Sequence, residues 1–153
     1  MGYIVTTQGV KVNESKVEAI WSWPTPSSIY DMRSFHGVAS FYRLSITDFS
    51  TIMAPTTEVL KGTSIKCTPK AQHAFKVIKK KLTQAPVLAL PCFEKIFEVE
   101  RDASEVGIEG VLTQEGCPIA YFSEKLCDSK RKYATYDKEF YAIFRSLSIG
   151  VTT

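Results

Sequence analysis

The chain has 153 residues, of which 44% are hydrophobic and 23% are charged, and its formal net charge is +3. This length suffices for one domain of ordinary size or two small ones with a buried core, which argues against wholesale disorder. Because no apolar run approaches the roughly 20 residues of a membrane helix and the start lacks a secretion signal, we expect a cytoplasmic or nuclear protein that is not secreted and binds no membrane.

The chain begins with an expected strand, turn and short helix. Residues 3–5 are apolar and lead into Gln8-Gly9, which is typical of a strand followed by a turn. Asn13 is a suitable N-cap for a helix that Pro24 ends.

A second helix is predicted behind the proline-containing segment. Ser28 and Asp31 form a capping signal. Apolar side chains then recur every three or four residues, at Ile29, Met32, Phe35, Ala39 and Tyr42. After a turn at residues 48–50 we expect a short helix over residues 52–60 that Pro55 breaks or opens.

The middle of the chain is strongly basic. Residues 59–93 contain seven lysines and no acidic residue, namely Lys61, Lys66, Lys70, Lys76, Lys79, Lys80 and Lys81. Thr68-Pro69 predicts the start of a third helix with Phe75, Ile78 and Leu82 on its buried side. The lysines can bind a phosphate backbone, and the alternative is that they form a solvated helix face. Residues 85–91 are apolar but bracketed by prolines, which predicts an extended surface segment.

The last third predicts a different architecture. Residues 96–102, 106–114 and 119–123 read as a three-stranded antiparallel meander with a turn at Glu115-Gly116. Thr135 caps a final helix. Its apolar side is expected to consist of Tyr136, Phe140, Ile143, Phe144 and Leu147.

Two carboxylates in this last third are candidate metal ligands. Asp102 ends the first strand of the meander, and Glu139 lies on the final helix. If the helix packs across the strands, the two side chains can converge, and Mg²⁺ is the natural cation between such carboxylates. The alternative is that both are ordinary surface acids.

Three stretches of the chain carry a family resemblance. They read GVKVNESKVEAIWSWPTPSSIYDMRSFHGVASFYRLSITDFSTIMAPTTEVL, CTPKAQHAFKVIKKKLTQAPVLALPCF and VERDASEVGIEGVLTQEGCPIAYFSEKLCDSKRKYATYDKEFYAIFRSL. In this order they resemble the palm end and thumb of the reverse transcriptase, the connecting segment and the start of the RNase H domain of gypsy-type LTR retrotransposon Pol polyproteins. The resemblance implies that Asp102, in a TDAS-like motif, and Glu139 are catalytic, metal-binding residues of RNase H. It also implies that Lys16, Arg33 and Arg43 contact the nucleic-acid backbone.

The chain departs from the family at several positions. Two further RNase H carboxylates are expected beyond Thr153, and the polymerase aspartates before Met1, so neither set is present in this sequence. Arg101 stands where the family usually has threonine, Glu109 where glycine is common, and His36 where leucine is usual. Ser45 and Cys67 replace expected aromatic residues.

These observations lead to an α+β fold, with thumb-like helices followed by a partial RNase H-like meander and helix. We expect residues 1–62 to be the end of the palm and the thumb, residues 63–93 the basic connection, and residues 94–153 the first half of the RNase H-like domain. Since part of the RNase H sheet is expected to be missing, we expect some side chains on the apolar side of the final helix to be partly open to water, among Phe140, Ile143, Phe144 and Leu147.

The predicted function is a fragment of a retrotransposon reverse transcriptase/RNase H polyprotein that is inactive alone, with weak or absent Mg²⁺ binding. Its expected partners are an RNA:DNA hybrid or other nucleic acid, bound weakly, and a second copy through the exposed sheet edge. Two alternatives stay open: a non-catalytic nucleic-acid-binding module and a translated remnant without a selected role. Whether the chain is itself an enzyme also stays open.

Overall fold

The computed structural model describes residues 2–62, 68–103 and 107–150, and for residue 103 and residues 146–150 it describes the backbone. The elements are β1 (Tyr3–Thr6), β2 (Gly9–Val12), α1 (Glu14–Trp21), α2 (Ile29–Phe41), a 3₁₀ turn (Arg43–Ser45), α3 (Phe49–Lys61), α4 (Pro69–Thr83), β3 (Glu98–Ala103), β4 (Gly107–Gln114), β5 (Cys117–Lys125), α5 (Asp128–Arg131) and α6 (Thr135–Gly150). Helices thus combine with two small antiparallel sheets, which confirms the α+β fold class. None of the described helices is long and apolar enough to cross a membrane.

Local capping signals set the starts of three helices. The Asn13 side chain accepts a hydrogen bond from the Ser15 amide at the start of α1. At the start of α2, Ser28 and Asp31 exchange hydrogen bonds in a complete capping box. Thr68 caps α4 in the same way as Asn13 caps α1, with proline at the first helical position. These three predictions are confirmed because capping depends only on neighbouring residues.

Helix α3 differs from the prediction. It begins at Phe49 and runs without interruption through Pro55 to Lys61, so the expected turn at residues 48–50 and the break at Pro55 are wrong. A proline removes one helical hydrogen bond and usually destabilises a helix interior. Here the same helix buries Phe49 and Met53 in the core, and this packing holds it together.

The larger hydrophobic core lies between the first hairpin and helices α1 to α4. Phe35 of α2 is fully buried, and its ring centroid lies 4.4 Å from that of Phe75 in α4. Ile78 and Leu82 bury the same side of α4, as the sequence predicts. Since this core takes residues from both sides of position 62, α4 packs with the preceding helices; the three-part division of the chain stays a prediction.

An extended segment leads from α4 to the second sheet. Leu88 forms an isolated antiparallel bridge with Val10 of β2, which confirms the expected surface segment. The buried Gln114 side chain then fixes the segment, because it accepts a hydrogen bond from the Cys92 amide and donates to the carbonyl oxygens of Cys92 and Lys95.

The second sheet is the predicted antiparallel meander, in the order β3-β4-β5. Cross-strand partners include Asp102 with Glu109 and Arg101 with Gly110. In the part of the chain that the structure describes, β3 pairs with β4 alone and is therefore an edge strand.

Helix α6 packs on this sheet with an unexpected side. The fully buried residue is Ala142, which contacts Ile108 and Leu126, while Tyr141 packs at the edge of this small core. Phe140 and Phe144 are 70% and 63% exposed, which confirms that part of the predicted apolar side is open to water, while Ile143 is partly buried. The small Ala142 side chain lets the helix approach the strands closely. The side chain of Leu147, also assigned to that side, lies outside the described residues.

Candidate metal and nucleic-acid sites

Asp102 and Glu139 lie on opposite faces of the β3-β4-β5 sheet. Ile108 of β4 contacts Ala142 of α6, so the face that includes Ile108 is the one covered by α6. Side chains alternate along a strand, and Glu109 is therefore on the other face, together with its cross-strand partner Asp102. Glu139 belongs to α6 and lies on the Ile108 side.

The face that includes Asp102 packs against helix α3. The Ser50 amide donates to Ser123 Oγ at 2.7 Å, and Ser50 Oγ donates to the Ser123 carbonyl oxygen at 2.8 Å. Thr51 Oγ1 donates to Glu109 Oε1 at 2.9 Å. Because Ser123 and Glu109 are cross-strand partners, these contacts mark one continuous face of the sheet.

The contacts of Glu139 involve a cation from the protein itself. Arg101 Nη2 lies 3.7 Å from Glu139 Oε2, and both side chains are partly exposed. Arg101 precedes Asp102 on β3 and so points to the opposite face, toward α6. The structure therefore brings Glu139 to Arg101 and not to Asp102.

Asp102 shares a cavity with other carboxylates. A cavity of about 260 Å³ is lined in part by Asp48, Glu100, Asp102 and Glu109. Burial raises the pKa of Glu109, and the hydrogen bond to Asp48 and the charges of Asp48 and Asp102 raise it further. The pKa of Asp48 is lowered, first by the hydrogen bond with Glu109 and then by Lys81, whose Nζ lies 3.2 Å from Asp48 Oδ2.

These residues do not fit a divalent cation. Mg²⁺ demands near-ideal octahedral oxygen coordination, which requires carboxylates that converge. Asp102 and Glu139 face away from each other, and Arg101 already pairs with Glu139. Over residues 2–62, 68–103 and 107–150, no group of three or more His, Cys, Asp or Glu residues could hold a metal ion.

Two of the predicted nucleic-acid-binding lysines are engaged inside the protein. Lys79 Nζ donates to the carbonyl oxygens of Trp21, at 2.9 Å, and Trp23, and it lies 4.4 Å from the centroid of the Phe75 ring. Burial lowers the pKa of Lys79. Lys81 binds Asp48 and the Thr47 side chain at the start of α3.

The other basic residues differ in their surroundings. Lys70, Lys76 and Lys80 are exposed on α4, and Lys76 and Lys80 lie one turn apart on its outward side. Lys61 is exposed and pairs with Glu58 at 3.3 Å. Exposed positions are also found for Lys16, Arg33 and Arg43, whereas Lys66 lies outside the described residues.

An apolar cavity lies between the two sheets. It has a volume of about 390 Å³, and its lining includes Tyr3, Leu44, Leu88 and Phe97. Phe93 stands at its edge with 79% of the side chain exposed. Among residues 2–62, 68–103 and 107–150, those that line this cavity are all uncharged, so it differs from the carboxylate-lined cavity next to Asp102.

The interaction of α3 with the sheet is what sequence reasoning missed. Asp48 and Thr51 contact Glu109 across 61 and 58 positions of sequence, a relationship that no local pattern encodes. The only available signal was Glu109 itself, a charged side chain in place of the glycine common at that position.

Comparison with known proteins identifies relatives over nearly all of the chain. A family model described as an RNase H-like domain found in reverse transcriptase matches residues 67–149. The chain is 37% identical over 160 residues to the Pol polyprotein from transposon gypsy of Drosophila melanogaster, and 38% identical over 145 residues to that from transposon 297 of the same organism. It covers 16% and 14% of the length of these two polyproteins.

Solved structures share the fold at lower sequence identity. The chain superposes with a TM-score of 0.90 on a foamy viral protease-reverse transcriptase in complex with an RNA/DNA hybrid. The sequences are 22% identical, and the match covers 99% of this chain and 21% of the viral one. A foamy viral protease-reverse transcriptase dRH in complex with double-stranded DNA gives the same TM-score and identity.

Proposed function

Because this chain belongs to the family of RNase H-like domains found in reverse transcriptase, we propose that it binds double-stranded nucleic acid as a segment of a retrotransposon Pol polyprotein. RNA-directed DNA synthesis and cleavage of RNA:DNA hybrids are, on this proposal, activities of the polyprotein. The segment performs neither reaction alone. It acts in the cytoplasm or nucleus, where such polyproteins meet their nucleic acids.

The observation that carries the proposal is the exposed basic side of α4. Lys70, Lys76 and Lys80 are exposed, and residues 59–93 contain seven lysines and no acidic residue. Lysines that neutralise phosphates release condensed counterions, so binding is independent of sequence and weakens with salt. Arg33 and Arg43 add exposed positive charge before α3. The fold shared with foamy viral enzymes bound to duplexes supports the same partner class.

The carboxylates support binding without hydrolysis. Family members use a divalent metal ion, and in this chain the ligands implied by resemblance are Asp102 and Glu139. Since these two residues face opposite sides of the sheet, we expect Mg²⁺ binding here to be weak or absent.

Self-association is the second partner proposal. Strand β3 has one paired side in the described chain, and an edge strand is a template for pairing with another chain. The exposed Phe140 and Phe144 side chains of α6 add apolar surface near this edge.

A titration of a fluorescent RNA:DNA hybrid in EDTA tests the binding proposal. Three lysines at phosphates predict that the logarithm of the affinity falls against the logarithm of the salt concentration with a slope of about −3. The variant K76Q/K80Q is expected to reduce the steepness of this slope by about 2. A slope near zero, or the same slope in the variant, would overturn the proposal.

A further inference from the structure

Different helices pack on the two faces of the β3-β4-β5 sheet. Helix α6 covers one face through Ala142 and through Arg145, whose Nε donates to Glu124 Oε2 at 2.6 Å. Helix α3 covers the other face through Ser50, Thr51 and Glu58, and Glu58 Oε1 lies 3.0 Å from Lys125 Nζ. Side chains along β5 alternate between the same two faces, because Glu124 contacts α6 while its neighbours Ser123 and Lys125 contact α3.

On the α6 face, a guanidinium is already placed beside Glu139. Arg101 lies opposite Gly110 in the strand register, so no side chain from β4 competes with it for this space. Its Nη2 is 3.7 Å from the Glu139 carboxylate. A positive charge at this position attracts the Glu139 carboxylate and repels a second cation.

On the α3 face, the carboxylates next to Asp102 are engaged with the helix. Glu109 accepts a hydrogen bond from Thr51 and shares another with Asp48. Lys81 places its ammonium group on Asp48. The position across from Asp102 is therefore filled by a contact between α3 and the sheet.

We propose, on the basis of the metal-free nucleic-acid binding proposed above, that Arg101 is a built-in counter-ion of Glu139 and that the Asp102 face is a permanent contact surface for α3. The sheet then folds and holds α3 without a divalent cation. Glu139 then belongs to the contact of α6 with the sheet, and Asp102 lies beside the contact of α3 with the sheet, so the two carboxylates flank two separate helix–sheet contacts.

Nuclear magnetic resonance of the isotope-labelled chain tests both halves of the proposal. The side-chain carboxyl carbon signal of Glu139 is expected to shift in R101T and to stay unchanged in E109Q, whereas that of Asp102 is expected to shift in E109Q. R101K, which retains the charge, is expected to shift the Glu139 signal less than R101T does. A Glu139 signal that does not respond to R101T would overturn the proposal.

Addition of Mn²⁺, a paramagnetic substitute for Mg²⁺, tests the metal directly. A Mn²⁺ ion held by both carboxylates would broaden the amide signals of Asp102 and Glu139 together and more than other signals. We expect no such broadening in the wild-type chain or in R101T. Joint broadening that EDTA reverses and D102N abolishes would contradict the proposal. The EDTA titration of the hybrid reads out nucleic-acid binding alone, so failure of the proposed function and failure of the metal-free helix–sheet contacts give different results.

Discussion

The most discriminating perturbation is a pair of double substitutions on one helix. K79Q/K81Q and K76Q/K80Q each remove two positive charges from α4. In the structure, Lys79 and Lys81 bind oxygen atoms of the protein, whereas Lys76 and Lys80 are exposed on the outward side. We therefore expect the first variant to lose stability and the second to lose affinity for nucleic acid.

The expected loss of stability follows from the contacts. Lys79 donates charge-assisted hydrogen bonds to the carbonyl oxygens of Trp21 and Trp23 from a half-buried position, which contributes about 1 to 2 kcal/mol to the free energy of unfolding. The partly exposed pair of Lys81 with Asp48 adds about 0.5 kcal/mol. For a chain of this size, a loss of about 2 kcal/mol lowers the melting temperature by about 4 to 8 °C. K76Q/K80Q is expected to stay within about 0.5 kcal/mol of wild type.

Thermal unfolding followed by circular dichroism measures the first effect, and the salt dependence of hybrid binding measures the second. At a temperature where both variants are folded, K79Q/K81Q should retain the wild-type slope of log affinity against log salt concentration. In K76Q/K80Q the slope should be less steep by about 2. Equal loss of affinity in the two variants would refute the assignment of internal and external lysines. An unchanged melting temperature in K79Q/K81Q would refute the role of Lys79 in holding α1 to α4.

Three further predictions concern the core, the pH response and the sheet edge. F35A should lower the free energy of unfolding by about 3 to 5 kcal/mol, because Phe35 is fully buried, whereas F140A should change it by less than about 0.5 kcal/mol; urea unfolding of both variants checks this contrast. Burial lowers the pKa of His36, so the unfolded chain binds more protons than the folded one below about pH 6.5, and stability should fall as the pH drops through this range. Urea unfolding at several pH values should show that this fall in the free energy of unfolding disappears in H36L and persists in the matched control H73Q. The same fall in H36L would contradict the prediction. The amides of β3 should exchange with solvent faster than those of α2, and the mass in solution should exceed that of a monomer; slow exchange of β3 in a monomer would show this interpretation of the edge to be wrong.

The features that the sequence predicts correctly are those fixed by neighbouring residues. The cap residues Asn13, Ser28 and Thr68 act within one helical turn, and the meander follows from alternation and from the turn at Glu115-Gly116. The buried stripe of α4 is likewise a matter of helical spacing. Local patterns of this kind have the same meaning in any fold.

The errors concern relations between distant elements. The exposure of Phe140 and Phe144 is expected, but the sequence does not predict that α6 packs through Ala142 on its other side, which allows closer contact with Ile108. In the same way, the uninterrupted helix through Pro55 depends on packing of α3 against α4.

The candidate metal ligands show the same limit. The prediction that Asp102 and Glu139 converge assumes a strand register, and a shift of one residue along a strand reverses the face on which a side chain lies. In the observed register Arg101, and not Asp102, faces α6. The catalytic roles of Asp102 and Glu139 stay a prediction that the resemblance implies.

One gel experiment tests most directly the claim that this chain binds nucleic acid without cleaving it. An end-labelled RNA:DNA hybrid is incubated with the chain in Mg²⁺ or in EDTA, and native and denaturing gels report binding and cleavage of the same samples. We predict a salt-sensitive mobility shift of similar size in Mg²⁺ and in EDTA, with the RNA strand intact in both. Cleavage of the RNA that requires Mg²⁺ and disappears in D102N would contradict the account.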